Sequence, residues 1–398
     1  MRVCILVESY HPRVGGTPTQ ARLLASDLVA AGHEVVVVTR RWDPVHSARE
    51  TVDGVDVIRV GPVGRGASKK WGMLLRVLPR LLRLPKIDLF FCPGLRVLGA
   101  AAVIAAKLRG CRCVLRPVSC GEMSGAFFAD GLKRAGLGLT AWPVRAGLAL
   151  RNAILRRADA VVAISAEIAD ELGGCRVPAG KIVRIPNGVD DAVFQPASPA
   201  EKVRQRTTLG VRANDYLVVY TGRLVAYKGL PGLLRVWARV VKEVPAARLA
   251  LVGGGGNDMA NCESELRAFC VEHRLGDRVV FTGDVPTVAP WLQAADAFVF
   301  PTQNEAFGIS LIEAMACGLP VVSTEVGGVK DIVAGGVNSL VFQSGDEPGL
   351  EAALRRVMRE PELAARLGLA ALATVKERYT RARVAAVYLS LFEGLVKR

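Results

Sequence analysis

The feature that most constrains this chain is an alternation repeated along nearly all of it: short, continuous apolar runs separated by segments with helical apolar spacing. In the first half the runs are RVCILV, HEVVVVT, DVIRV, IDLFFC, CRCVLRP, AVVAIS and KIVRIP; in the second they are YLVVYTG, ARLALVGGG, RVVFTG, AFVFP, LPVVST and SLVF. Runs that are apolar without alternation suit strands buried on both faces, and the intervening segments suit helical crossovers, so the chain reads as parallel βαβ units. Its 398 residues exceed the roughly 250 to 300 at which one core stops growing. The expected fold class is therefore α/β, with two Rossmann-like, doubly wound parallel-sheet domains facing a cleft beyond the carboxyl ends of their strands.

Between the first two runs, GGTPTQARLLASDLVAAG predicts a helix with a glycine stop at Gly32, and the final ERYTRARVAAVYLSLFEGLVKR predicts a closing helix. Pro, Ser and charged residues replace the alternation in DDAVFQPASPAEK (190–202). The expected domains are thus 1–195, joined by the last helix at about 380–398, and 196–379.

Composition narrows the partners. With 51% hydrophobic and 22% charged residues the chain is globular. The longest apolar stretch, VLGAAAVIAAK, is far below the roughly 18 residues of a membrane span, and the apolar start VCILV is interrupted at Glu8, so it predicts a buried strand and no secretory signal. Nine cysteines include one close pair, Cys111 and Cys113, and the four histidines (His11, His33, His46, His273) are scattered, which favours reduced thiols in the cytoplasm and gives no metal-ligand grouping.

The net charge of +15 is uneven: residues 1–195 hold 28 Lys and Arg against 16 Asp and Glu, the remainder 24 against 21. Much of the excess lies in GRGASKKWGMLLRVLPRLLRLPK (64–86), where Arg76, Arg80 and Arg83 recur among leucines. Two readings fit equally: a helix peripheral on an anionic membrane surface, or a surface helix with a solvated basic face. No aromatic-rich basic groove or nucleic-acid module is visible, so nucleic acid is not an expected partner.

Four stretches could carry chemistry. In ESYHPRVGGTPTQ, Gly15 and Gly16 precede the first helix, where paired glycines let a ligand approach the backbone and the helix amino end favours an anion. The spacing is not GxGxxG, so a nicotinamide cofactor is unsupported. In VVYTGRLVAYKGL, Arg223 and Lys228 lie between a strand end and the next helix; they suit a diphosphate, or are solvated loop cations. ALVGGGGNDM forms a Gly-rich wall with no specified ligand. In PTQNEAFGISLIEAMACGLPVV, Glu305 falls in a loop and Glu313 within a short helix that Gly318 and Pro320 stop. Both carboxylates could accept from vicinal hydroxyls, or Glu305 could cap the helix. A surface role fits Glu313 poorly, because Leu311, Ile312, Ala314 and Met315 surround it.

In this order along the chain, these motifs resemble the retaining nucleotide-sugar glycosyltransferases of glycosyltransferase family 4, with the GT-B fold. The resemblance runs from GG at 15–16 and LVAAGHEVVVVT through IPNGVD, TGRLVAYKG and VVFTG to ADAFVFPTQNEAFGISLIEAMACGLPVVSTEVGG and VNSLVF. It implies transfer of a sugar from a nucleoside-diphosphate sugar, UDP- or GDP-linked, to a glycan, lipid-linked or small-molecule acceptor, with retained anomeric configuration and with neither cofactor nor metal. By the same resemblance Arg223 and Lys228 hold the diphosphate, amides of Gly15 and Gly16 approach it, Glu313 accepts from ribose, Glu305 from the transferred sugar, and amides of Ala306, Phe307 and Gly308 line sugar and phosphate. Where family members commonly carry a histidine, CRCVLRPVSCGEMSG has none; Ser119, Cys120 and Glu122, with Asn187, are the candidates on the sugar or acceptor side. Ala306 and Ser339 replace frequent glycines. A non-catalytic nucleotide-sugar-binding or scaffold subunit is the alternative.

Overall fold

The computed structural model describes residues 1–13, 15–64, 67–134, 136–256 and 258–397. Within the Gly-rich wall Asn257, and within the basic segment Arg65 and Gly66, lie outside the described residues. Among those described, the chain divides into two compact units: Met1–Gly188 with Ala382–Arg398, and Val189–Arg381.

The first unit contains β1 (Arg2–Leu6), α1 (Gly16–Ala30), β2 (Glu34–Arg40), β3 (Arg49–Val52), β4 (Val55–Val60), α2 (Ala67–Leu82), β5 (Leu89–Pro93), α3 (Gly99–Arg109), β6 (Arg112–Arg116), α4 (Ala129–Arg134), α5 (Trp142–Leu155), β7 (Ala160–Ala163), α6 (Ala166–Gly174) and β8 (Ile182–Arg184). Its sheet runs β3-β4-β2-β1-β5-β6-β7-β8. Every pairing is parallel except β3 with β4. The order reverses between β1 and β5, the switch point of a doubly wound sheet.

Alternate side chains explain the core. Val3 and Ile5 of β1, Val35 and Val37 of β2, and Leu89 and Phe91 of β5 face one layer with Leu24 and Leu28 of α1. The closing helix, α14 (Arg381–Val396), adds Val384, Tyr388 and Phe392, four residues apart and so on one face. Tyr388 and Phe392 each sit 5.5 Å, centroid to centroid, from Phe91.

The second unit contains α7 (Pro199–Thr208), β9 (Tyr216–Thr221), α8 (Leu230–Glu243), β10 (Ala247–Val252), α9 (Glu263–Glu272), β11 (Val279–Gly283), α10 (Ala289–Ala294), β12 (Ala297–Phe300), α11 (Ile309–Ala316), β13 (Val321–Thr324), β14 (Leu340–Phe342), α12 (Glu347–Arg359) and α13 (Pro361–Arg378). The all-parallel sheet runs β11-β10-β9-β12-β13-β14, with its switch point between β9 and β12. The two parallel α/β sheets are the architecture expected of the GT-B fold.

Four local expectations change. The edge strand β3, RETV, is polar and alternating and does not stand out as a core strand; it pairs antiparallel with β4 through Asp53 and Gly54, both at positive φ. Gly16 does not precede α1 but is its first residue, with Gly15 as N-cap. The stretch 190–202, expected to hold the domain boundary, lies within the second unit, which begins at Val189, and α7 starts inside it, where the Ser198 hydroxyl accepts from Glu201 N at 3.2 Å. The closing helix does not include ERY: α13 ends at Arg378, and Tyr379, 1% exposed, donates its hydroxyl to Asp331 O at 2.9 Å before α14 starts.

Candidate active site

In the second unit, both strands flanking the switch point end in loops that carry the candidate charges. After β9 the chain passes Gly222 and Arg223 and makes a single helical turn at Ala226–Lys228 before α8. Gly229 links the two at φ 73°, and a Cβ there would lie 1.9 Å from Pro301 O, so only glycine lets this loop close against the end of β12. That approach brings Lys228 Nζ to 2.5 Å from Glu305 Oε2. The two side chains are 12% and 19% exposed, enough for a small ligand to reach and too little for free hydration. The β12 loop is pinned as well: Gln303 N donates to Tyr227 O, and Gly328 N to Glu305 O, both at 2.9 Å.

Arg223 is placed differently. It is exposed on the rim, its guanidinium paired with Asp258 and donating to the Tyr227 hydroxyl at 2.6 Å. Tyr220, buried beneath, donates to Arg223 O at 3.0 Å and fixes that backbone. Tyr227 and Asp258 were not among the sequence candidates; the tyrosine's place next to Lys228, and an acid two residues after the glycine run, were the available signals.

Gly308, at φ 108°, is the N-cap of α11, so its neighbouring amides include the unpaired donors of a helix amino end. Phe307 turns its ring inward, 2% exposed and 5.8 Å from the Tyr379 ring, and its amide donates to Glu305 Oε1 at 3.5 Å, so a ligand would meet that amide only in exchange for the carboxylate. Glu313 lies on α11 with no hydrogen bond or ion pair to its carboxyl among the described residues. It keeps a little surface, yet burial pushes its pKa up to about 8. Without a partner among the described residues, such a carboxyl is open to taking one from a ligand.

In the first unit, the candidates differ in exposure and in partners. Gly15 and Gly16 stand at the amino end of α1. Glu122, proposed for the sugar side, is 0% exposed: its Oε2 accepts from Leu95 N at 2.8 Å and Arg96 Nε lies 3.3 Å from Oε1. Burial raises its pKa, and Arg96 opposes that rise. It is a brace between the β5 and β6 loops. Asn187, 3% exposed, likewise serves the interior, accepting from Arg116 at 3.1 Å. Cys120 points its thiol at Glu167 Oε2, 3.3 Å away, and Ser119 is half-buried on the same loop.

Comparison with known families decides the identity. Residues 14–193 match the model described as Glycosyltransferase Family 4, and residues 215–360 the model described as Glycosyl transferases group 1. The chain belongs to the group 1, family 4 glycosyltransferases. The glycosyltransferase is 28% identical over 357 residues, 85% of this chain and 84% of the other, to the uncharacterized glycosyltransferase MJ1607 of Methanocaldococcus jannaschii. Matches at 33 to 34% identity to further relatives span about half of each of those proteins, 46 to 58%. Among solved structures, a sucrose-phosphate synthase of Thermosynechococcus elongatus superposes with a TM-score of 0.81 at 24% identity over 99% of both chains. Anabaena HepE, solved in complex with UDP-glucose, gives 0.79 at 20% identity over 99% of this glycosyltransferase and 100% of that chain. At these identities the structural likeness speaks for the fold, which is GT-B.

Proposed function

We propose that the glycosyltransferase moves a sugar from a UDP- or GDP-linked donor to an acceptor hydroxyl with retention of anomeric configuration. The acceptor is a glycan, lipid-linked molecule or small molecule in the assembly of cell-surface polysaccharide, glycolipid or natural-product glycoside. The observation that carries this reading is the Lys228–Glu305 pair across the β9/β12 switch point, next to the amino end of α11. A departing diphosphate gains negative charge, and Lys228 with the α11 amides answers it; Arg223 joins by exchanging Asp258 for phosphate oxygens. Release of Lys228 toward phosphate frees Glu305 to accept from sugar hydroxyls, while Glu313 accepts from ribose. Amides of Ala306, Phe307 and Gly308 complete the donor's surroundings within the second unit in this reading. The leaving phosphate can take the acceptor's proton, so no separate protein base is needed.

The UDP-glucose bound to HepE supports a nucleotide-sugar donor by fold likeness. A panel of nucleotide sugars screened by thermal shift tests the reading, since a donor at about 100 times its Kd stabilises by roughly 2.7 kcal/mol. No stabilisation by any UDP- or GDP-sugar would sink it. In this reading cations and amides do the work of a metal ion, so turnover unchanged by EDTA is expected and its loss would refute that part. The enclosed Glu122, in a loop without histidine, favours one alternative, a nucleotide-sugar-binding scaffold without turnover; product formation by purified protein rules it out. On and just after α2, Arg76, Arg80 and Arg83 are exposed while Met73, Val77 and Leu81 are buried, a pattern suited to a peripheral position on an anionic membrane.

A further inference from the structure

At the carboxyl ends of β1, β2 and β4, the first unit gathers more arginine than its function so far explains. Arg13 and Arg40 both stack on the Trp42 indole, their guanidinium carbons 4.2 and 4.0 Å from the ring centroid. The indole is held in place, donating Nε1–H to Glu8 O at 3.0 Å. Arg40, 2% exposed, donates to Gly64 O at 2.7 Å and has the Glu8 carboxylate 3.9 Å away. The neighbouring arginines have their own partners: Arg59 holds Glu50 and the His11 carbonyl, Arg41 the His46 and Pro44 carbonyls, and Arg22 pairs with Asp53.

Arg13 differs from all of these. It is exposed, and among the described residues no oxygen accepts from its guanidinium. Stacking engages the face of a guanidinium and leaves the in-plane fork of N–H donors available. That fork matches two oxygens of a phosphate or carboxylate. Its position is fixed from below by Trp42 and along the chain by the Arg59 bond to His11 O, 2.9 Å. Two guanidiniums share one ring, and among the described residues no carboxylate pairs with the outer one, so an oxyanion bound there would meet positive charge. The site also lies at strand carboxyl ends, where open α/β sheets take their ligands.

We propose that Arg13, stacked on Trp42 and backed by Arg40, is an oxyanion-binding group, and that the acceptor of this glycosyltransferase therefore carries a phosphate or carboxylate. The second clause rests on the proposed glycosyl transfer; the first does not.

The test uses the full chain at low salt, titrated with glycerol 1-phosphate, glycerate and neutral glycerol. Calorimetry and, for the phosphate, 31P line broadening read the binding. Both anions bind and glycerol does not; Arg13→Gln raises their Kd by ~10-fold or more, the loss of one bidentate charged contact, and Arg13→Lys restores part of the affinity. Arg13 is exposed, so an unchanged melting temperature is expected for both variants. Lys228→Ala leaves the anion titrations as in the wild type. Equal binding by the Arg13→Gln protein, binding of glycerol as tight as that of the anions, absence of anion binding to the wild type, or its loss in Lys228→Ala would each overturn the site. Vesicles containing phosphatidic acid, compared with soluble glycerol 1-phosphate, separate a lipid-borne oxyanion from a free one: either result identifies the source only when it also depends on Arg13, and binding to both that ignores Arg13 counts against the proposal. Anion binding through Arg13 with no response to any nucleotide sugar would break the glycosyl-transfer reading and leave the oxyanion site standing.

Discussion

The two units share one construction and use it differently. Each is a parallel sheet with a switch point, and each sets an acid and a base in the loops beyond it. In the second unit Lys228 and Glu305 meet while both remain partly reachable, and Glu313 has no partner among the described residues. In the first, Glu122 and Arg96 also meet, but the carboxyl is sealed and also holds the Leu95 amide. A carboxylate beyond a strand end is thus not yet a site. What separates ligand chemistry from bracing is whether its partners can exchange it for a ligand.

The comparison breaks most visibly at Lys228. Lys228→Ala removes the cation expected on the leaving diphosphate and should lower turnover by about 100-fold or more, in line with the loss of one charge-stabilising donor. Circular dichroism should remain that of the wild type, because the pair is part-exposed. Steady-state kinetics with the best donor from the panel checks this, and near-normal rates would remove the residue from the mechanism.

Glu122→Ala should do the opposite. It leaves the buried Leu95 N–H unpaired and Arg96 without its carboxylate, costing about 2 kcal/mol of stability. Donor affinity should not change. A urea titration alongside donor binding measures both; a stable variant with impaired transfer would return Glu122 to the sugar side.

Much of this could be read from the sequence, and the exceptions have physical reasons. Core strands of both sheets were legible because burial on both faces makes them continuous apolar runs. The edge strand β3 was not, since one side of it meets solvent; its Asp53-Gly54 turn was the overlooked signal. Glu313 stood out because an acid among Leu311, Ile312, Ala314 and Met315 has no ordinary explanation. The Lys228–Glu305 contact spans 77 positions and depends on Gly229 closing against Pro301, which no local pattern reports. The same limit hid the burial of Glu122 and Asn187, set by how loops from different strands close over them.

Glu313 sharpens the contrast through pH. Its folded pKa, about 8, lies above the value near 4.5 of an exposed glutamate, so the folded state prefers the neutral acid. Its contribution is therefore most favourable below pH 4.5 and is lost as pH rises toward and through 8. The ligand-free protein should lose on the order of 2 kcal/mol over that window from this group, less than the full shift implies because the residue keeps some solvent contact. Glu313→Gln should flatten that part of the profile. Urea midpoints from pH 5 to 8.5 in both proteins test it, and parallel curves would show that the carboxyl is already solvated.

The smallest effect concerns two basic helices. On α8 of the second unit, Arg235 and Arg239 are matched by Glu347 and Glu351 of α12, with contacts of 2.7 and 2.5 Å. On and just after α2 of the first unit, Arg76, Arg80 and Arg83 face solvent with no carboxylate partner among the described residues, beside Leu75 at 82% exposure. Self-neutralised arginines have little to offer an anionic surface, whereas unmatched ones are each worth about 1 kcal/mol near it. Replacing all three by Gln should change stability by no more than ~0.5 kcal/mol, as surface substitutions usually do. It should nevertheless lower co-sedimentation with anionic vesicles at low salt by at least ~10-fold, since three such charges are lost. The equivalent change at Arg235 and Arg239 should leave co-sedimentation as it was. If wild type and triple variant pellet alike, the α2 arginines are a solvated face and the first unit's excess charge has its use elsewhere.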